Sequence, residues 1–377
     1  MPVKPPAEVD LTTDLVRALL QDQHPDLAAL PLRLAAHGWD NATFRLGDDL
    51  AVRLPRREVA AHLIEHEQRW LPTLAALCPV PVPAPLRVGL PGPRFPWSWS
   101  VVRWVGGVHV ADQPVAERTA WAPELAEALV ALHVPAPAGA PVNPFRGGAL
   151  AGRAAALEAR LDGGHLDAAI AAAAEAAAPG AAAGAADGGT GAAHRVTGAA
   201  GEAPGPGAAE RRTGPADRGA GPVGADARAA STDTSGSLAP ARTSDGRSRL
   251  DAVWRDALHA PAWPGPLVWL HGDPHPGNLV AAGSRLAGLL DFGDMTAGDP
   301  ACDLAAAWLT FDADGRAAFR ARADAVADAR GPLDPGRWRR AAGWALVMAS
   351  ALVTHGDDDP VIAAAGSHAL AELVRGD

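Results

Sequence analysis

The sequence predicts an α+β protein: a small antiparallel sheet with helices at the N-terminal end, followed by a mainly helical remainder. Three observations predict it. Short apolar runs separated by Gly/Asp turns occupy residues 30–55, and helically spaced leucines dominate from residue 117 onward. Within Leu267–Leu304, two short apolar runs end abruptly in acidic loops.

Taken in order, Asp10 to Gln23 brings Leu11, Leu15, Leu19 and Leu20 to one helical face, with Thr12, Thr13 or Asp14 as N-cap, and Pro25 ends it. Leu30–Ala36, Ala42–Leu46 and Leu50–Leu54 read as three strands joined by turns at His37–Asn41 and Gly47–Asp49. Glu58–Leu77 is a helix with Leu63, Glu67, Trp70, Leu71 and Leu74 near one face; Pro79–Pro85 is extended, and Ser98–Val105 is a strand ended by Gly106-Gly107. Helices follow at Glu117–His133, within Phe145–Gly164 and over Ala168–Ala178. From Pro179 to about Ser248 the pattern gives way to Ala, Gly, Pro, Ser and Thr, which cannot bury enough apolar surface to offset conformational entropy, so a disordered insertion is expected. Helical spacing resumes at Arg249–Leu258, from Asp299 through Trp308, and at Gly315–Ala329, Pro335–Thr354 and Val361–Val374.

With 377 residues and a formal charge of −10, the chain is no general nucleic-acid binder, because it lacks the basic excess that phosphate recognition needs. Its acidity suits a cationic small molecule better. Lys4 is the only lysine and lies before the first helix, so a cation needed deeper in the fold must be an arginine. Cys78 and Cys302 stand far apart without metal-ligand spacing and read as reduced, buried thiols. The N-terminus has no apolar signal region, and the longest apolar stretch, around Ala341–Val353, is too short to span a bilayer. A soluble cytoplasmic protein, monomer or weak dimer, with no membrane partner is expected.

The chemistry concentrates where the two apolar runs stop. Leu267–Leu270 ends in His271-Gly272-Asp273, and Leu286–Leu290 ends in Asp291-Phe292-Gly293-Asp294. Pro274-His275-Pro276 forms a stiff loop, since proline lacks an N–H and biases its predecessor towards extended backbone. Mg²⁺ on a nucleoside triphosphate takes hard oxygens from one or two side chains, which Asn278 and Asp291 can supply. An attacking hydroxyl needs a proton acceptor held in line, and Asp273 stands five positions before Asn278.

The segments HGDPHPGN and LLDFGD resemble the two signatures of the aminoglycoside phosphotransferase, or choline-kinase-like, family of small-molecule kinases. The loop opens His-Gly-Asp where protein kinases have His-Arg-Asp, and no Ala-Pro-Glu follows. The resemblance implies a bilobal protein-kinase-like fold, with an N-lobe over 1–105 and a helical C-lobe over 106–377 interrupted by the insertion at about 179–248. It implies that Gly38, Asn41 and Thr43 lie at a hairpin over the triphosphate, that Arg53 on the third strand contacts the α- and β-phosphates, and that Glu67 holds Arg53. Arg56 and Arg57 are expected at the surface. Asp273 is the implied catalytic base, Asn278 and Asp291 the Mg²⁺ ligands, His271 and Asp303 the supports of the catalytic loop; His133 and His275 are assigned to packing. The strand Ser98–Val105 is implied to enter a hinge whose backbone groups would read adenine; ATP is the expected donor and GTP stays open. The acceptor side is expected among the last helices, with Trp308, Trp338, Trp344 and Asp357–Asp359.

The expected activity is therefore transfer of a γ-phosphate to a hydroxyl of a small molecule, an aminoglycoside-type acceptor first, with antibiotic resistance left open. The alternatives are a metabolic or macrolide kinase of the same fold and a catalytically silent nucleotide-binding protein.

Overall fold

The computed structural model describes residues 5–178, 238–356 and 359–376. The first helix, α1 (Thr13–Gln23), is capped by Thr12, whose hydroxyl accepts the Leu15 N–H at 3.2 Å. Then come β1 (Leu32–His37), β2 (Asn41–Leu46), β3 (Leu50–Pro55), α2 (Glu58–Ala75), β4 (Pro85–Gly89) and β5 (Trp99–Arg103). The five strands form one antiparallel sheet in the order β1-β2-β3-β5-β4.

The two-residue period of a strand sorts this sheet into two faces. Phe44, Leu46, Val52, Leu54, Trp99 and Val101 join Val16, Leu19 and Leu20 of α1 in one apolar cluster. Thr43, Arg53 and Ser100 stand side by side across β2, β3 and β5, on the face towards α2. There Gln68 donates to the Ser100 hydroxyl at 3.1 Å. The extended segment expected over Pro79–Pro85 ends where the edge strand β4 begins, a strand that the sequence reading did not assign. Its Leu86 and Val88 are exposed and so give no burial pattern to read. Gly89 closes that strand against Trp99, whose ring would lie about 2 Å from any Cβ there.

The remainder runs β6 (Val108–His109), α3 (Val115–Arg118), α4 (Ala122–Leu132), α5 (Ala154–Asp162), α6 (Asp167–Ala176), α7 (Leu238–His259), β7 (Val268–Leu270), β8 (Leu279–Ala282), β9 (Arg285–Leu289), β10 (Thr296–Gly298), α8 (Ala301–Leu304), α9 (Ala306–Thr310), α10 (Ala313–Asp328), α11 (Arg337–His355) and α12 (Pro360–Arg375). Strands β6-β8-β9 make one small sheet and β7 pairs with β10. One continuous apolar cluster runs from α4 through the strands to α8–α12. The architecture is a bilobal α+β fold.

Several local expectations change. Glu117–His133 is not one helix: α3 passes through a 3-10 turn at Thr119–Trp121 into α4, because Pro123 has no N–H to continue a helix and fits only its first turn. Helix α7 begins at Leu238, inside the span assigned to the insertion. Its polar composition hid what holds it: Arg247 donates to Asp162, to Asp251 and to the Leu161 carbonyl, each at 3.0 Å. Residues 179–237 lie outside the described residues. Trp308 and Trp344 are buried in the helical core, and the half-buried Trp338 donates to Asp324, so these rings pack the lobe. Asp359 caps α12, while Asp357 and Asp358 lie outside the described residues. Among the described residues no helix is long and apolar enough to cross a membrane. Both cysteines are free thiols; burial pushes Cys78 up to about 11 and Cys302 well above its ordinary value.

Candidate active site

Arg53 faces α2 because Val52 and Leu54 face α1. Helix α2 meets it with a buried stripe, Ala60, Ile64, Glu67, Leu71 and Leu74, at the three- and four-residue spacing of one helical face. One guanidinium nitrogen of Arg53 bonds both Glu67 oxygens at 2.9 and 2.7 Å, and the other reaches Asp291 Oδ1 at 3.2 Å. Glu67 is wholly buried and Arg53 nearly so. Burial pushes the Glu67 carboxyl up to about 7 against the opposing pull of Arg53. Burial also works against the Arg53 charge, but Glu67 and Asp291 outweigh it and raise Arg53 above its ordinary value. The charge that gives way first in this pair is Glu67.

The catalytic-loop candidate is fixed by its own backbone. Asp303, fully buried on α8, accepts the His271 and Gly272 N–H groups, one on each carboxylate oxygen at 2.9 Å, and contacts His133 Nε2 at 3.2 Å. The Asp273 N–H donates to His271 Nδ1 at 3.2 Å, so the ring's Nε2–H is the one that donates to the Leu290 carbonyl at 2.9 Å. That bond ties the first acidic loop to the strand end that carries the second. Gly272, at φ +90°, is required for the approach of the two loops: a Cβ there would lie 2.2 Å from the Asp294 carbonyl oxygen.

Asn278 closes the loop by donating its Nδ2–H to the Asp273 carbonyl at 3.0 Å, which leaves its side-chain oxygen for another partner. The Leu290 N–H donates to the Asn278 carbonyl at 2.8 Å, next to Asp291 in sequence. Asp291 is the single non-glycine residue of positive φ among the described residues, at 53°, a conformation that aspartate tolerates better than most. Its side chain is half exposed. An amide oxygen and a carboxylate are the hard donors that Mg²⁺ takes alongside phosphate and water, so this donor set fits that ion.

The hairpin tip lies at Gly38–Asp40 between β1 and β2. Gly38 is exposed, Asn41 is buried with its side-chain oxygen unpartnered, and Thr43 pairs across from Arg53. Arg56, expected at the surface, is buried: it donates to the Gly38 carbonyl at 2.8 Å, to Trp39 at 3.2 Å and to Pro5 at 3.1 Å. Its position after Pro55 suggested a loop, but the strand continues to that proline and turns the side chain under the hairpin. Arg57 pairs with Asp40 at 2.9 Å, and Asp40 is raised by burial and by the nearby Asp291 charge. No bond joins Gly38, Asn41 or Thr43 to Asp273 among the described residues.

Sequence reasoning missed Arg146. Its Nη2 donates to Asp273 Oδ1 at 2.9 Å and lies 3.9 Å from Asp294 Oδ2. Burial works against the Asp273 charge, yet Arg146, His275 and His271 together hold its carboxyl below the usual range. Asp294, by contrast, is raised by its own burial. His275, assigned to packing, accepts the Gly277 N–H on Nδ1 at 3.0 Å and brings Nε2 to 3.4 Å from Asp273 Oδ2. The available signal for Arg146 was a lone arginine in Asn-Pro-Phe-Arg-Gly-Gly, a loop with no periodicity.

A family model described as the phosphotransferase enzyme family matches residues 31–344. The chain belongs to that family. No curated protein matches it by sequence. Among solved structures, this phosphotransferase is similar to the GDP complex of wild-type aminoglycoside 2'-phosphotransferase-IIIa, with TM-score 0.58, 16% identity, and 97% of this chain and 99% of that one covered. A GDP and kanamycin complex of an aminoglycoside phosphotransferase gives TM-score 0.53 at 16% identity, covering 95% and 97%. Macrolide 2'-phosphotransferase MphH from Brachybacterium faecium gives 0.50 at 18%, covering 95% and 98%. The phosphotransferase therefore has the bilobal kinase-like fold of these proteins.

Proposed function

We propose that this phosphotransferase moves the γ-phosphate of ATP to a hydroxyl of an aminoglycoside-type acceptor. The observation that carries the reading is the convergence of two acidic loops: Asp273 and Asn278 on one, Asp291 on the other, with the Arg53–Glu67 pair reaching Asp291. Residues 1–105 serve as the nucleotide lobe and 106–377 as the catalytic lobe. Arg53 meets the α- and β-phosphates, and Gly38, Asn41 and Thr43 belong to the hairpin above them. Asn278 and Asp291 would hold Mg²⁺, which when bound neutralises charge on the phosphates.

Asp273 aligns the acceptor hydroxyl and takes its proton. The oxygen–phosphorus bond forms as the bond to the departing diphosphate breaks. A carboxylate held below its usual range is a weak base, so alignment contributes more than proton affinity. His271 and Asp303 keep the loop in shape. The GDP-bound neighbours make GTP the donor to compare with ATP.

A macrolide acceptor is the second reading. It is favoured by the likeness to a macrolide 2'-phosphotransferase and by exposed Val142 and Phe145 on the loop that carries Arg146. The test is ADP release by purified protein with ATP and Mg²⁺ across aminoglycosides, macrolides, choline and small sugars. Stimulation by aminoglycosides is expected, with Asp273→Ala lowering turnover about 10³-fold or more while nucleotide affinity stays within about twofold. An Asp273→Ala protein that turns over at the wild-type rate would overturn the assignment of the base, and a protein that binds ATP but answers to no acceptor would overturn the kinase reading.

A further inference from the structure

We propose that Arg146 is a positioning residue for phosphoryl transfer, holding the Asp273 carboxylate in line from a segment outside both acidic loops. The inference rests on the phosphotransferase reading above. It begins from how firmly that segment is mounted. The Asn143 N–H donates to Thr296 Oγ1 at 2.9 Å, the Thr296 hydroxyl and the Ala297 N–H donate to the Pro141 carbonyl at 3.1 and 3.0 Å, and the Asp299 N–H donates to the Gly147 carbonyl at 2.9 Å. Residues 141–147 thus lie along β10 as an added, irregular edge. Gly147 and Gly298 bring the two backbones into direct contact: a Cβ on Gly298 would fall 2.5 Å from the Gly147 oxygen. Asn143 also donates to Asp294 at 2.6 Å.

An ion pair that served only to neutralise a surface aspartate would need none of this anchoring. Arg146 and Asp273 are 127 positions apart, and each side chain is less than one-fifth exposed. The guanidinium holds Asp273 Oδ1, and its 3.9 Å approach to Asp294 Oδ2 ties the end of one acidic loop to the end of the other. Oδ2, whose neighbour is His275 Nε2 at the looser distance of 3.4 Å, is left to take the acceptor's proton. The acceptor's O–H bond then breaks towards Oδ2, its oxygen bonds the γ-phosphorus, and the nucleoside diphosphate leaves with the electron pair of the broken bridge. Arg146 makes and breaks no bond in this step. It anchors Oδ1 and so sets where Asp273 presents its second oxygen.

The experiment compares wild type, Arg146→Ala and Arg146→Lys with an acceptor that the wild type phosphorylates, reading kcat, both KM values, nucleotide affinity and thermal midpoint. Arg146→Ala should lose about 10- to 100-fold in kcat, the size of effect that misplacement of a reacting group produces, with nucleotide affinity within about twofold. Arg146→Lys should fall between, since an ammonium keeps the charge but not the reach and direction of the planar guanidinium. Millimolar guanidinium should restore part of the lost kcat in Arg146→Ala and none in Asp273→Ala. Unchanged kcat in Arg146→Ala overturns the role and leaves the kinase reading standing. A kcat loss accompanied by a fallen thermal midpoint, with no rescue by guanidinium, also overturns it in favour of a structural part. A wild type that binds nucleotide and phosphorylates nothing overturns the kinase reading and the role together.

Discussion

Two arginine–carboxylate pairs face the same site and are built in opposite ways. Arg53 and Glu67 stand 14 positions apart, on a strand and the helix after it, and one guanidinium nitrogen is spent on both oxygens of a dry carboxylate. Arg146 and Asp273 come from distant segments, share a single bond and keep a wetter edge. Burial dominates the first and pushes Glu67 up to about 7, whereas Arg146 and two histidines prevail in the second and hold Asp273 low. The first pair is a strut whose charge is costly to keep. The second is an ionised group less than one-fifth exposed, held low by its neighbours, which suits the proton acceptor proposed above.

The sharpest way to break the second arrangement without touching a charge is Gly272→Ala. The added methyl meets the Asp294 carbonyl oxygen at 2.2 Å and sits on a residue at φ +90°, so the two acidic loops must part. Turnover should fall about 10²-fold or more, because alignment of Asp273 with the opposite loop is lost. Nucleotide affinity through Arg53 should fall far less. Equal losses in both, measured by kinetics and by nucleotide titration, would show that the two pairs act as one unit.

Arg53→Ala attacks the strut instead. It strands a fully buried carboxylate, and breaking a buried pair by removing one partner costs about 3–5 kcal/mol. Denaturant unfolding should show that loss, and ATP affinity should drop with it. Arg146→Ala, at a more exposed pair, should cost much less stability, so the ratio of the two losses measures how differently they are buried.

The same contrast explains what could be read from the sequence. Arg53 was legible because the family resemblance asks for a cation on the third strand and Lys4, the only lysine, lies before the first helix. Glu67 was legible because it shares a helical stripe with apolar residues. Of these two signals only that of Glu67 is a local periodicity. Asp273, Asn278 and Asp291 stood out through spacing and a family resemblance. Arg146 had neither, since its place is set by hydrogen bonds to a strand that begins about 150 residues later. Arg56 and the helix α7 around Arg247 were hidden for a related reason: Arg56 is buried and Arg247 half-buried through specific polar partners, which composition does not report.

The finest cut at the comparison is the pH dependence of Glu67→Gln. In the folded protein the Glu67 carboxyl lies near 7, above its ordinary 4.5, so between those values the folded state binds a proton that the unfolded chain has released. Its contribution to stability is therefore full below about pH 4.5 and is lost as pH rises through 7. Wild type should lose stability relative to Glu67→Gln over that window, in protein free of nucleotide and metal, and the difference should level off above it. Matched denaturant unfolding curves at pH 5, 6, 7 and 8 would read it directly, with Asp273 and the other carboxyls cancelling between the two proteins. A wild type that instead gains on the variant across the window would mean that the pull of Arg53 exceeds the cost of burial. Glu67 would then be ionised throughout, and the two pairs would differ in location alone.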